Sequence, residues 1–136
     1  IVFLAKERDK IIGVMRMKSC TGSKTKDESI ELKDEQDINF RKSIWLREWS
    51  NRDPDEQHWH LGPIGVLPSY RRLGIGSKLM ERFCMEVDNC SATAYLETDS
   101  DENVQFYQKF GFSVISKSNI FQVENRYMLR ESRRQT

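Results

Sequence analysis

The sequence predicts an α/β (α+β) fold in which helices flank a mixed sheet. Three observations carry this. Residues 1–5 and 11–17 are adjacent apolar runs around a charged turn, and residues 112–116 and 121–129 form a second such pair. Between the pairs, two strand patterns at 58–66 and 92–98 each lead into a helix pattern, at 77–87 and 102–110. The resulting order is β–β, helix, β–α–β–α–β–β. Antiparallel hairpins at both ends and crossover helices in the middle make the sheet mixed.

The first pair, Ile1 to Ala5 and Ile11 to Met17, brackets Lys6-Glu7-Arg8-Asp9-Lys10 and reads as a hairpin. The chain opens on a strand without a starting methionine, so residues are expected upstream. From Thr21 to Asp37 the composition turns to Lys, Ser, Asp and Glu, as in a solvated loop. Phe40, Ile44 and Trp45 then fall on one side of a helix at 39–49, which Asp37 or Asn39 can cap. Its tryptophans, with Trp59, read as core or rim, the alternative being an acceptor-binding aromatic among them. Asn51-Arg52-Asp53-Pro54-Asp55 ends the helix.

At 136 residues the chain is expected to form a single domain, with 21–57 as a polar loop plus an extra helix. Twenty-two Lys and Arg against 21 Asp and Glu give a formal charge of +1, which supplies no global field for nucleic acid or a membrane surface. No apolar run approaches the ~20 residues that span a bilayer. Cys20, Cys84 and Cys90 are scattered and odd in number. A reduced, cytoplasmic protein is expected, with no disulfide framework and no metal site.

The strongest local signal begins at residue 58. His58, His60, Ile64 and Val66 alternate onto one face of a strand, while Gly62, Pro63 and Gly65 argue for a bulge or splay. After Leu67-Pro68-Ser69-Tyr70, the run Arg71-Arg72-Leu73-Gly74-Ile75-Gly76 opens directly onto a helix. Its buried face is Leu79, Met80, Phe83, Cys84 and Val87. Free N–H groups and the helix dipole make that start an anion site, and the glycines permit close approach of a phosphate. The third glycine of a dinucleotide loop and the Gly-Lys-Ser/Thr of a P-loop are both absent. Downstream, a strand at 92–98 precedes a short helix with acidic residues at its start, which Gly111 closes.

Arg71-x-x-Gly74-x-Gly76, preceded by Val66-x-Pro68, resembles the acetyl-CoA loop of the GNAT N-acetyltransferase superfamily. Asn103-Val104-x-Phe106-Tyr107-x-Lys109-x-Gly111-Phe112 resembles that superfamily's second motif. The two stand in order, about thirty residues apart, over a resemblance running from Ile1 to about Arg130. It implies a mostly antiparallel sheet with splayed central strands, lacking the family's usual first strand and helices. The helix at 39–49 is extra to that pattern and can stand in for part of the missing wall.

The resemblance further implies an acetyl-CoA-dependent N-acetyltransferase acting on a primary amine, small molecule or peptide, with a homodimer left open. The other reading is a catalytically silent acyl-CoA-binding module. Ile64, Gly65 and Val66 would pair with the pantetheine arm, and the backbone of Arg71, Arg72, Leu73, Gly74, Ile75, Gly76 and Ser77 would hold the pyrophosphate. Asn103 and Phe106 would contact the cofactor, the N–H of Ile64 would meet the thioester carbonyl, and Tyr107 would protonate the leaving sulfur. In the histone-acetylating branch a glutamate base precedes the loop arginine by eleven residues, and eleven before Arg71 is His60. Histidine's ordinary pKa of ~6.5 suits that task. His58, two residues away on the same strand face, could orient it or take its place, and Glu97 is the reserve base.

Overall fold

A computed structural model describes residues 1–22 and 37–133; most of the polar loop expected at 21–37 lies outside them. Among the described residues six strands form one sheet: β1 (Val2–Glu7), β2 (Lys10–Cys20), β3 (His58–Val66), β4 (Ala94–Thr98), β5 (Ser113–Ile120) and β6 (Val123–Arg130). With them stand the helices α1 (Ile38–Arg52), α2 (Ile75–Asn89) and α3 (Asp101–Gln108). The mixed, mostly antiparallel α/β architecture is the one the pattern predicts. Helices begin or end within a few residues of expectation. The closing hairpin differs: Phe121 and Gln122 are its turn, with φ of 47° and 68°, and no part of β6.

Strand order is β1-β2-β3-β4-β6-β5; neighbours among these strands are antiparallel, except that β3 and β4 run parallel. Those two pair through just Trp59 with Ala94 and His60 with Tyr95. Beyond His60 the strands part, which leaves one edge of β3 free of β4. That opening is the splay that Gly62, Pro63 and Gly65 foretold.

One sheet face carries Met15, Met17, Leu61, Ala94, Leu96 and Met128. Against it α2 lays Leu79, Met80, Phe83, Cys84 and Val87, the stripe expected from its spacing. Removing these side chains from water is the main stabilising term, at about 25 cal/mol per Å² of apolar surface. A bidentate ion pair ties the far end of α2 to the sheet: Arg130 Nη1 and Nη2 donate to Asp88 at 2.8 and 2.9 Å.

The opposite face is more polar, and α1 docks there without burying a single residue completely. Asp37 caps its start by accepting from the Asn39 and Phe40 N–H groups. Its hold on the sheet is largely directional. Trp49 Nε1 donates to Oδ1 of fully buried Asn125 at 3.0 Å, and Tyr95 donates to the Arg52 carbonyl at 3.3 Å. The Arg52 guanidinium also stands over the Tyr127 ring, 5.6 Å from its centroid.

A strict alternation along β3 would put His58, His60, Ile64 and Val66 on one face, and this expectation fails. Met15 pairs with Ile64 and Met17 with Leu61, so one β2 residue, Arg16, opposes both Gly62 and Pro63. The bulge reverses the parity. Ile64 and Val66 therefore pack toward α2 with Leu61, while His60 stays on the α1 side near Tyr95.

Candidate active site

The loop between β3 and α2 is shaped by its backbone. A single 3₁₀ turn, Pro68–Tyr70, leads into Arg72 at φ 63° and Gly74 at φ 80°, both left-handed. Gly74 is the N-cap of α2 and offers no side chain to its first N–H groups. Those donors are open to an anion. A Cβ at Gly74 would meet nothing within 4 Å, and one at Gly76 only Phe106 Cζ at 3.7 Å, so the cradle is unobstructed. Ile75 packs against the core, where Gly13 leaves it room: a Cβ there would lie 3.2 Å from Ile75 Cγ2. Arg71, Arg72 and Leu73 are exposed.

Two clefts meet where β3 and β4 separate. One, about 470 Å³, runs from Arg71 and Gly76 past Gly65, Val66 and Phe106. The other, about 450 Å³, is lined by His60 and Glu97 and walled by Trp45 and Trp49 of α1. Ile64, Asn103 and Tyr107 line both. An extended ligand in the first cleft and a second molecule in the other would therefore meet at Tyr107.

Each residue at that junction is held by its neighbours. Asn103 Nδ2 donates to Thr98 Oγ1 at 3.3 Å, which leaves its carbonyl oxygen for the cleft. Tyr107 is 8% exposed and packs beside Phe106 and Phe112. Burial raises its pKa above the ordinary value of 10, so the phenol stays protonated at neutral pH.

His60 Nε2 lies 2.7 Å from Glu97 Oε2, with side-chain exposures of 23% and 4%. A carboxylate can only accept, so Nε2 is the donor of this pair. The imidazole is the accessible member and the carboxylate lies beneath it. Parallel pairing of His60 with Tyr95 aligns β3 and β4 so that Glu97, two residues further along, reaches the ring.

The structure thus gathers His60, Glu97, Tyr107, Asn103, Phe106, Ile64, Gly65, Val66, Arg71 and Gly76 around the two clefts. Arg72, Leu73, Gly74, Ile75 and Ser77 shape the loop without lining either. His58 stands apart. It is 2% exposed, donates from Nδ1 to the Glu56 carbonyl at 2.8 Å, and meets Tyr95 edge-on at 5.6 Å. It has no hydrogen bond to His60. Trp45 and Trp49, read as core or rim, are half-buried cleft walls, and Arg16 was not anticipated. No group of three or more metal-ligating side chains occurs among the described residues, and no helix among them is long and apolar enough to cross a membrane.

The model of the acetyltransferase (GNAT) family matches residues 1–112. The chain belongs to that family. A curated relative, N-alpha-acetyltransferase 50 of Danio rerio, is 33% identical over 72 residues, a stretch covering 49% of this chain and 43% of that protein. This GNAT chain thus aligns with less than half the length of that relative. Among solved structures, the ribosomal-protein-S18-alanine N-acetyltransferase of Escherichia coli superposes at a TM-score of 0.66 and 14% identity, covering 96% of this chain and 68% of that one. The NatB acetyltransferase complex bound to CoA and MES gives 0.57 and 18%, covering 96% and 71%. At such identities the superpositions establish the GNAT fold alone.

Proposed function

We propose that the protein is an acetyl-CoA-dependent N-acetyltransferase that moves an acetyl group directly onto a primary amine. The observation carrying this reading is the meeting of two clefts at Tyr107, with the His60–Glu97 pair on the side away from the anion loop. A silent acyl-CoA-binding module would need the first cleft only.

The loop from Arg71 to Ser77 would seat the pyrophosphate on its N–H groups, and the free edge of β3 would hold the pantetheine arm as a strand holds its neighbour. Gly65 and Val66 lie on that edge, with Asn103 and Phe106 opposite. The CoA-bound NatB neighbour supports acyl-CoA as the co-substrate.

The transfer forms an N–C bond and breaks a C–S bond. His60 accepts the proton that the amine must lose, through Nδ1 or an intervening water, while Glu97 fixes the ring and stabilises the imidazolium. Backbone N–H donors near Ile64 face the thioester oxygen. Tyr107 donates its hydroxyl proton to the departing sulfur. The free thiols of Cys20, Cys84 and Cys90 support a reducing, cytoplasmic setting.

The test is release of free thiol from acetyl-CoA in the presence of an amine panel. Amine-dependent release that is lost in His60→Gln and Tyr107→Phe is expected. Tight acetyl-CoA binding without release for any amine would overturn the enzyme reading in favour of the binding module.

A further inference from the structure

Two tryptophans wall the amine cleft. Trp45 and Trp49, one turn apart on α1, meet edge to face with centroids 6.2 Å apart and planes at 64°. They form an angled aromatic notch in a cleft that Pro63 and Leu96 also line. The charges lining the cleft are few. Glu97 is occupied by His60, which leaves Asp99 as the single exposed carboxylate among the described residues of the lining, and Arg16 sets a positive charge on the same cleft. Arg16 is held there by its own hydrogen bond, Nε to the Gly62 carbonyl at 3.0 Å, so it is fixed at the β3 bulge.

This arrangement discriminates among amines. A polyamine or an aminoglycoside brings several ammonium groups, each needing a carboxylate or water. Among the described lining residues one exposed carboxylate is available, and the Arg16 guanidinium repels further ammonium groups. A mono-ammonium compound with a bulky apolar group suits the cleft on both counts. Its charge is met by Asp99 on entry, and its apolar body leaves water against the indoles.

We infer that Trp45 and Trp49 determine acceptor specificity, selecting a primary amine that bears one positive charge and a large apolar substituent. The inference rests on the reading of this cleft as the amine site. The same chemistry occurs in a free arylalkylamine and in a peptide whose first residue is bulky and apolar. Trp49 also anchors α1 through Asn125, so Trp45 is the residue to vary.

The experiment measures kcat/KM by thiol release at saturating acetyl-CoA, for 2-phenylethylamine, a tripeptide led by phenylalanine, triglycine, ethanolamine and spermidine. Binding of each amine is followed separately by calorimetry. Either apolar amine should exceed ethanolamine and spermidine by about 10-fold or more, chiefly through KM, as expected for apolar pocket contacts. The better of the two identifies the source of the acceptor. Trp45→Ala should collapse that ratio, and Trp45→Phe should restore most of it while circular dichroism remains native. Spermidine matching the apolar amines, or a ratio unchanged in folded Trp45→Ala, would overturn the inference. Selective calorimetric binding of the apolar amines without any thiol release would support the specificity while overturning the proposed enzyme activity.

Discussion

His60 Nε2 and Glu97 Oε2 lie 2.7 Å apart across the parallel pair of β3 and β4, although 37 residues separate them in the chain. The pairing turns two candidate bases into one unit. The imidazole faces the cleft, and the carboxylate beneath it sets the ring's tautomer. Other histidine–carboxylate pairs work by the same division of labour.

That unit predicts a specific kinetic response. His60→Gln should lower kcat/KM by about 10²–10⁴-fold, the usual contribution of one acid–base group. Glu97→Gln should lower it less, because the ring stays at the cleft but loses the partner that orients it. Steady-state kinetics on the three proteins decide the matter. Full rate in His60→Gln would remove it from the mechanism.

Tyr107→Phe keeps the packing against Phe106 and Phe112 and deletes only the hydroxyl. The expected result is a kcat loss within about 10²–10⁴-fold, toward the lower end, with acetyl-CoA affinity retained. Because burial raises the Tyr107 pKa above 10, its ionisation should cause no loss of rate below that pH. Steady-state kinetics and calorimetry together separate this outcome from a structural role.

Gly76→Asp places a carboxylate where the α2 N-terminus awaits an anion. The new Cβ would meet only the Phe106 ring edge at 3.7 Å, so the fold should survive while acetyl-CoA affinity falls steeply. Arg72→Ala should weaken binding much less, because an exposed charge contributes modestly. Calorimetry with acetyl-CoA checks both; wild-type affinity in Gly76→Asp would refute the assignment of the loop.

The Asp88–Arg130 pair should govern acid stability. The hydrogen bond from Arg130 holds the Asp88 carboxyl below its ordinary range. A depressed folded-state pKa contributes stability above the unfolded value of about 3.9, and that stability is lost as pH falls through the folded value. Arg130 is 3% exposed, so Asp88→Asn leaves a buried guanidinium without its carboxylate. A cost of roughly 2–3 kcal/mol is expected at pH 7, below that of a fully buried pair because Asp88 is partly in water. Thermal melts of the two proteins should converge as the pH drops below 4.

Burial raises the tyrosines Tyr95, Tyr107 and Tyr127 above 10. Each stays neutral in the fold while the unfolded chain ionises near 10, so this stability is present below pH 10 and lost as the pH climbs beyond it. Tm should accordingly fall between about pH 10 and 11. Melting curves across that range check the direction, and a Tyr127→Phe variant should show a shallower fall.

The sequence by itself determined the elements that obey local rules. The period of Leu79, Met80, Phe83, Cys84 and Val87 specifies the buried face of α2, and Gly74 and Gly76 before it specify an open helix start. Gly62, Pro63 and Gly65 announce a break in β3, and the spacing to Asn103 and Tyr107 completes the family motif. Tertiary structure decided what local periodicity cannot encode. One unpaired residue in the β3 bulge reverses which face Ile64 and Val66 occupy, because side chains alternate with a period of two and the register is set by β2. Parallel pairing of β3 with β4 sets Glu97 beneath His60 and leaves His58 out of the site. The aromatic stripe of α1 reads as core, yet it walls a cleft, because the sheet face it docks on is polar and holds it through Asn125 and Tyr95. A side chain's apolarity fixes that it seeks cover; only the long-range register of the sheet fixes whether that cover is the core or a bound substrate.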